Sequence, residues 1–186
     1  MARVLMGGLL GGVAMWIVGF LFWGTPLSRI ALSRTDDPAS AALQRVLADN
    51  LGTLGTGAYP VPWPGTPAGT QLHGQGPVVM VFFNANGFAI PDSSALIGGL
   101  VLAIVCALLV AVAIRTVANG ASFGARLKLV AVIAVAVTAY TDLGQPIYNH
   151  MPLGYFLFLW ISDVASWIAA GAVIAWALPR TPILRG

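Results

Sequence analysis

Residues 139–167, "AYTDLGQPIYNHMPLGYFLFLWISDVASW", place carboxyl side chains within strongly apolar sequence. The stretch contains Asp142, His150 and Asp163, three of the eight Asp, Glu and His residues in the chain. A charged side chain in hydrocarbon is costly, so an Asp in such a segment is expected to be paired, protonated or functional. What this stretch does therefore depends on whether the rest of the chain belongs to a membrane protein.

The composition is that of an integral membrane protein. Hydrophobic residues make up 58% of the 186 residues and charged residues 8%, whereas soluble domains carry about 25% charged residues. The nine Lys and Arg residues flank apolar blocks and form no patch, so nucleic acid is not an expected partner. Membrane lipids are the expected surroundings.

Four apolar segments are long enough to cross a bilayer, which takes roughly 20 helical residues. They predict an all-α membrane protein with a four-transmembrane-helix bundle. Residues 1–23 would form the first helix, residues 24–93 an external insertion, and residues 94–186 the last three helices with short connections. The first segment lacks an A-x-A cleavage pattern and is expected to be an uncleaved anchor. The segments are 4–23, 94–114, 127–145 and 154–178.

The basic residues predict the orientation, because Lys and Arg are enriched in cytoplasmic loops. Six of them lie at one end of the four segments, and the connection at 146–153 has none. The protein is therefore expected in a bacterial inner membrane, with both termini in the cytoplasm and residues 24–93 in the periplasm. The six are Arg3, Arg115, Arg126, Lys128, Arg180 and Arg185.

Small residues predict where helices approach closely. The first segment contains "GGLLGG", in which two glycine pairs have small-xxx-small spacing. Such spacing lets helix backbones meet within one chain or between subunits. The candidate packing residues are Gly7, Gly8, Gly11, Gly12, Gly98 and Gly99.

The external insertion is predicted to be a small α+β unit. "SRTDDPASAALQRVLADNLG" has a helix start at Asp36 or Asp37 and a stop at Gly52. "GAYPV" begins an extended piece that leads into a Pro/Gly-rich loop, "GPVVMVFF" is the best strand, and "FAIP" is a further short strand candidate. The helix is expected to pack on these strands. Candidate external contacts are Tyr59, Trp63, Phe82, Phe83, Phe88 and His150.

The two embedded carboxyls belong to a predicted intramembrane polar cluster. On the third segment the polar positions recur at i, i+3, i+4 and i+7, which is one helical face. Asp163 lies about 14 Å into the fourth segment at 1.5 Å per residue. Two interpretations remain open: hydrogen bonds that set helix register, with Ser166, Tyr140 or Thr138 as partners, or a pocket for a proton, cation or quinone head group. The cluster comprises Thr138, Thr141, Asp142, Gln145, Asp163 and Ser166.

Motifs for catalysis are missing from the sequence. It contains no Walker or dinucleotide-binding fingerprint, no G-x-S-x-G and no Glu, and Cys106 is the single cysteine. No catalytic residue, metal ligand or cofactor is assigned, and the protein is not expected to be an enzyme. No histidine falls in any segment, which argues against a self-contained b-type haem site.

The layout resembles a family of uncharacterised bacterial four-span integral membrane proteins, through "GAYPVPWP", "QGPVVMVFF" and the fourth segment with "SDVASW". That resemblance implies no activity. The leading expectation is a non-catalytic accessory or structural subunit of a larger inner-membrane complex, such as a respiratory or photosynthetic one, with other integral membrane subunits as partners. One alternative is a small transporter or ligand-binding membrane protein that uses Asp142 and Asp163. Another is a membrane-anchored external binding module.

Overall fold

The computed structural model describes residues 1–179, and the positions of Arg180 and Arg185 lie outside that range. The chain is mostly helical with a small two-stranded sheet. It divides into two compact units. One combines residues 1–33 with residues from 93 onward, and the other is formed by Arg34–Asp92. Residues 24–33 of the predicted insertion therefore group with the long helices.

Four helices are long and apolar enough to cross a membrane, as the sequence predicted. They are α1 (Ala2–Trp23), α4 (Ser93–Val117), α7 (Leu153–Ala177) and a composite third helix over residues 123–149. The third helix is α5 (Phe123–Thr138), a π-helical segment (Ala139–Leu143) and α6 (Gly144–Asn149) in direct succession. It extends four residues beyond the predicted end of that span, into the predicted connection at 146–153.

The long helices pack mainly in three pairs, α1 with α4, α1 with α7, and α5 with α7. The core of this unit is formed by small and branched side chains, including Ala107, Ala111, Val130 and Ile174. Since α1 and α7 each have two principal neighbours and α4 and α5 have one, the helices follow one another in the order α4, α1, α7, α5.

The glycines of "GGLLGG" make these contacts possible on two faces of α1. A Cβ atom on Gly8 or Gly12 would meet the backbone of α4 at 2.8 Å or less, and one on Gly11 would lie 2.9 Å from Ile174 of α7. A Cβ atom on Gly98 would meet nothing within 4 Å. The first four packing glycines therefore face neighbouring helices, whereas Gly98 is on an open surface and Gly99 meets only the Trp16 ring, 3.8 Å away.

The Arg34–Asp92 unit contains α2 (Asp37–Leu51), β1 (Gly57–Val61), α3 (Pro67–Gln75) and β2 (Val79–Phe83). The two strands pair antiparallel, with Tyr59 opposite Val81. Asp36 caps α2 by accepting the amide of Ala39 at 2.7 Å. The "FAIP" stretch forms no strand, and Pro91 lacks the amide hydrogen that a ladder requires.

Two expectations for this unit differ from the structure. No residue of α2 is buried, and its apolar side chains Leu43 and Val46 are exposed. Among the described residues, this helix therefore does not pack on the strands as expected. The Pro/Gly-rich loop contains the unexpected helix α3. Thr66 caps it by accepting the amide of Gly69 at 3.0 Å, and Pro67 occupies its first turn, where a missing amide hydrogen is harmless.

Candidate functional site

The site is centred on Asp142, which lies in the π-helical segment Ala139–Leu143 where this segment packs against α7. Single π-helical turns are rare and often accompany functional sites. The Asp142 side chain is 8% exposed, and its Oδ1 accepts a 3.1 Å hydrogen bond from Thr141 Oγ1. Its Oδ2 is buried and has no hydrogen-bond partner among residues 1–179. A buried carboxyl oxygen without a donor is unusual and calls for one from outside.

Asp163 is half-buried and lies on α7, the helix against which the π-helical segment with Asp142 packs. No described side chain donates a hydrogen bond to it. Two hydroxyls expected to serve it are bonded to their own helices: Ser166 Oγ donates to the Ser162 carbonyl at 2.8 Å, and Thr138 Oγ1 to the Ala134 carbonyl at 2.7 Å. Hydrogen bonding to these groups therefore does not hold Asp163 in place.

Of the remaining members of the predicted cluster, Thr141 contacts a carboxyl and Gln145 does not. Thr141 is largely exposed, although its hydroxyl reaches Asp142. Gln145 Oε1 accepts a 2.8 Å hydrogen bond from Asn149 Nδ2 further along the helix. The structure thus joins Thr141 to Asp142 and places Asp163 on the helix that packs against them, while Gln145 belongs to a separate local contact.

Two polar groups near this region were not singled out from the sequence. Trp160, one turn from Asp163 on α7, has a buried Nε1 with no partner in the described part of the chain. Ser162 is 1% exposed and accepts a 3.0 Å hydrogen bond from Trp23 Nε1 of α1. The Trp23 ring also packs edge-on against Phe158 with 5.2 Å between centroids. The Ser162/Ser166 spacing in "SDVAS" was the available signal for a second polar contact on this helix.

An apolar groove of about 350 Å³ lies between α4 and α5, with Trp167 of α7 contributing to its lining. One end of the groove includes Thr138, which is four residues before Asp142, and Trp167, which is four residues after Asp163. Residues four apart lie on the same helical face, so the groove leads toward the two carboxyls. Its lining is Val110, Ala113, Ile114, Val117, Leu129, Val130, Ile133, Ala134, Val137, Thr138 and Trp167.

Arg126 is buried at the opposite end of these helices, although its position beside the short connection predicted an interfacial cation. It is 1% exposed. Its guanidinium donates to the carbonyls of Leu178 at 2.8 Å and Pro179 at 2.6 Å, and to that of Ala118 at 3.3 Å. The first two bonds satisfy carbonyls where α7 ends, and the third joins Arg126 to the end of α4. Ser122 caps α5 and places Arg126 in the first turn facing α7.

The candidate external contacts fall into two groups. Tyr59 and Phe83 pack edge-on within the sheet, with 6.4 Å between ring centroids. Trp63, Phe82 and Phe88 are exposed. His150 is also exposed and has a left-handed backbone at the break before α7, with φ 50°.

Among the described residues no group of three or more His, Cys, Asp or Glu side chains is arranged to hold a metal ion. No protein-family model, curated protein or solved structure shows a significant match to this chain.

Proposed function

We propose that the four apolar helices cross a bacterial inner membrane as a bundle, with both termini in the cytoplasm, and that the protein is a non-catalytic accessory subunit. The observation that carries this proposal is the groove between α4 and α5. The partner would be another integral membrane protein, which contributes a transmembrane helix to that groove.

The chemistry of the groove suits a helix. Its lining is apolar apart from Thr138, and it contains several small or β-branched side chains, which allow close approach in lipid. Association in a bilayer depends on such packing together with hydrogen bonds between helices. The groove leads toward Asp142 and Asp163, so a helix seated there could also provide the donor that Asp142 Oδ2 lacks.

The orientation is supported by the positions of the basic residues, apart from Arg29, Arg34 and Arg45 in the long connection between α1 and α4. Every Asp lies in residues 36–92 or in the stretch 142–163, whereas Arg3, Arg115 and Lys128 lie near the opposite ends of the long helices. The positive-inside rule therefore supports the proposal that the Arg3 end is cytoplasmic and the Arg34–Asp92 unit periplasmic.

The groove can be blocked without changing the rest of the surface. Val137 lines it and is 56% exposed, while Val132 on the same helix is 59% exposed and lies outside it. We expect Val137→Trp to displace the partner and Val132→Trp to leave it bound. The measurement is gentle extraction of the untagged protein, native electrophoresis and mass spectrometry of the proteins that co-migrate.

Equal recovery of a partner with the two variants would rule out the groove as its binding site. Both variants must first elute as folded, monodisperse protein in the same detergent. A third variant, Val137→Leu, keeps the groove open and serves as a control for substitution at that position.

A second candidate function rests on the carboxyl pair. Asp142 and Asp163 lie on two elements that pack together, and no described residue forms a salt bridge with either; a proton or monovalent cation site would use such carboxyls. Liposomes containing the purified protein would then show a proton or sodium flux that Asp163→Asn abolishes. A flux unchanged by that variant, or indistinguishable from that of empty liposomes, would eliminate this candidate.

A further inference from the structure

A small basic pocket lies where α1 begins, α4 ends and α7 ends. Its volume is about 200 Å³, which leaves room for a group several water molecules in size. Two of its lining residues, Arg3 and Arg115, are exposed arginines. The lining residues are Met1, Ala2, Arg3, Val4, Arg115, Leu178 and Pro179.

No carboxylate side chain lies near these two arginines in the sequence. No Asp or Glu precedes Asp36, none lies between Asp92 and Asp142, and none follows Asp163. The first turn of α1 contains no acidic residue, and its N-cap makes no side-chain hydrogen bond. A helix N-terminus adds a partial positive charge to a nearby pair of guanidinium groups.

The chemistry of the arginine side chains suits a phosphate group. Arg115 donates to Asn119 Oδ1 through one nitrogen, and a guanidinium has five N–H donors in all. Arginine matches phosphate oxygens in a bidentate arrangement better than lysine does. Beneath the pocket, Arg126 holds the carbonyls of Leu178 and Pro179, which fixes the wall formed by the end of α7.

We propose that this pocket binds a phosphate group, and that an anionic phospholipid of the surrounding leaflet supplies it. Basic pockets between transmembrane helices on the cytoplasmic side bind such headgroups. The proposal rests on the membrane insertion proposed above and is independent of the subunit role, so loss of a protein partner leaves it intact.

The test uses the full chain, purified in detergent, stripped of lipid and incubated with equal amounts of phosphatidylglycerol and phosphatidylcholine of matched acyl chains. Native mass spectrometry counts the bound lipids. We expect phosphatidylglycerol to bind preferentially, and Arg115→Gln or Arg3→Gln to weaken its binding about fivefold. Lys128→Gln removes the same charge from an exposed position outside the pocket and should leave binding nearly unchanged.

A second arm distinguishes the source of the phosphate. In this arm, inorganic phosphate is added and thermal unfolding is measured. If phosphate protects the protein only while both arginines are present, and the protein shows no preference between the two lipids, the phosphate site is supported but the lipid is overturned as its source. Equal weakening by Lys128→Gln would show general surface attraction and overturn the site. Phosphatidylglycerol binding that neither arginine substitution changes would also overturn the site, provided that the variants elute as folded protein.

Discussion

Gly12 of α1 lies against Ile104 of α4 so closely that a Cβ atom on Gly12 would be 2.4 Å from the Ile104 Cα atom. The atom it would meet belongs to the backbone, so no rotamer change can relieve the contact. One turn earlier, Gly8 meets Leu108 of the same helix in the same way. The two helices therefore pack with their backbones almost in contact, which is the arrangement that small-xxx-small spacing permits.

The first prediction concerns this contact. Gly12→Ala should force α1 and α4 apart and lower the free energy of unfolding by about 1–3 kcal/mol, the usual cost of overpacking. Gly98→Ala is the matched control, because a methyl group there meets nothing within 4 Å. Reversible unfolding in mixed detergent micelles, followed by tryptophan fluorescence, measures the difference. Equal stability of the two variants would show that α1 and α4 are not packed at Gly12.

The second prediction concerns Arg126, whose guanidinium satisfies the terminal carbonyls of α7. Arg126→Met keeps most of the apolar stem and removes the charged donors, which should cost about 1.5–3 kcal/mol in the free energy of unfolding. Lys128→Met removes a charge from an exposed position two residues away and should change it by less than about 0.5 kcal/mol. Hydrogen exchange of the last turn of α7 is the second readout, and protection there should fall only in Arg126→Met.

The third prediction concerns the hydrogen bond from Trp23 to Ser162, which joins α1 to α7. Trp23→Phe removes the donor while keeping an aromatic ring against Phe158, so the loss should be about 1 kcal/mol. Trp176→Phe changes an exposed ring and should have a much smaller effect. If thermal unfolding places both variants at the same stability, the Trp23–Ser162 bond contributes nothing measurable.

The fourth prediction concerns Asp142, whose Oδ2 is buried without a donor. Asp142→Asn has nearly the same shape, can still accept from Thr141 and adds no ionisable group, so the isolated protein should keep its fold and its stability. Unfolding of the purified variant in detergent measures this directly. A collapse of the fold would mean that the carboxylate is held by interactions within this chain, contrary to the orphaned oxygen.

The sequence predicted the long helices because twenty consecutive apolar residues have few alternatives, and it predicted the first four packing glycines because their spacing repeats. It did not predict the π-helical segment that buries Asp142, since no residue pattern in "AYTDL" distinguishes that turn from an α-turn. Helix α3 was missed although Thr66 and Pro67 form a good start signal, because four of the twelve residues that follow Pro64 are glycines. Burial of Arg126 depends on where α7 ends, which is a tertiary relationship.

The placement of the two carboxyls on packed elements is the other part that the sequence did not predict. Asp142 and Asp163 are 21 residues apart, and only the tertiary structure shows that the π-helical segment packs on α7. The hydroxyls predicted to serve Asp163 instead bond to carbonyls one turn earlier on their own helices. Such back-bonding is the usual local alternative for Ser and Thr in helices, and composition alone cannot exclude it.

The central claim is that another integral membrane protein occupies the groove between α4 and α5. Gentle native extraction of the untagged protein, with mass spectrometry of what co-migrates, tests it most directly when Val137→Trp is compared with Val132→Trp. We expect a larger assembly of fixed stoichiometry that Val132→Trp retains and Val137→Trp loses. A protein recovered only as a monomer or homo-oligomer would contradict the subunit role and make Asp142 and Asp163 the focus of a search for a transported or bound ligand.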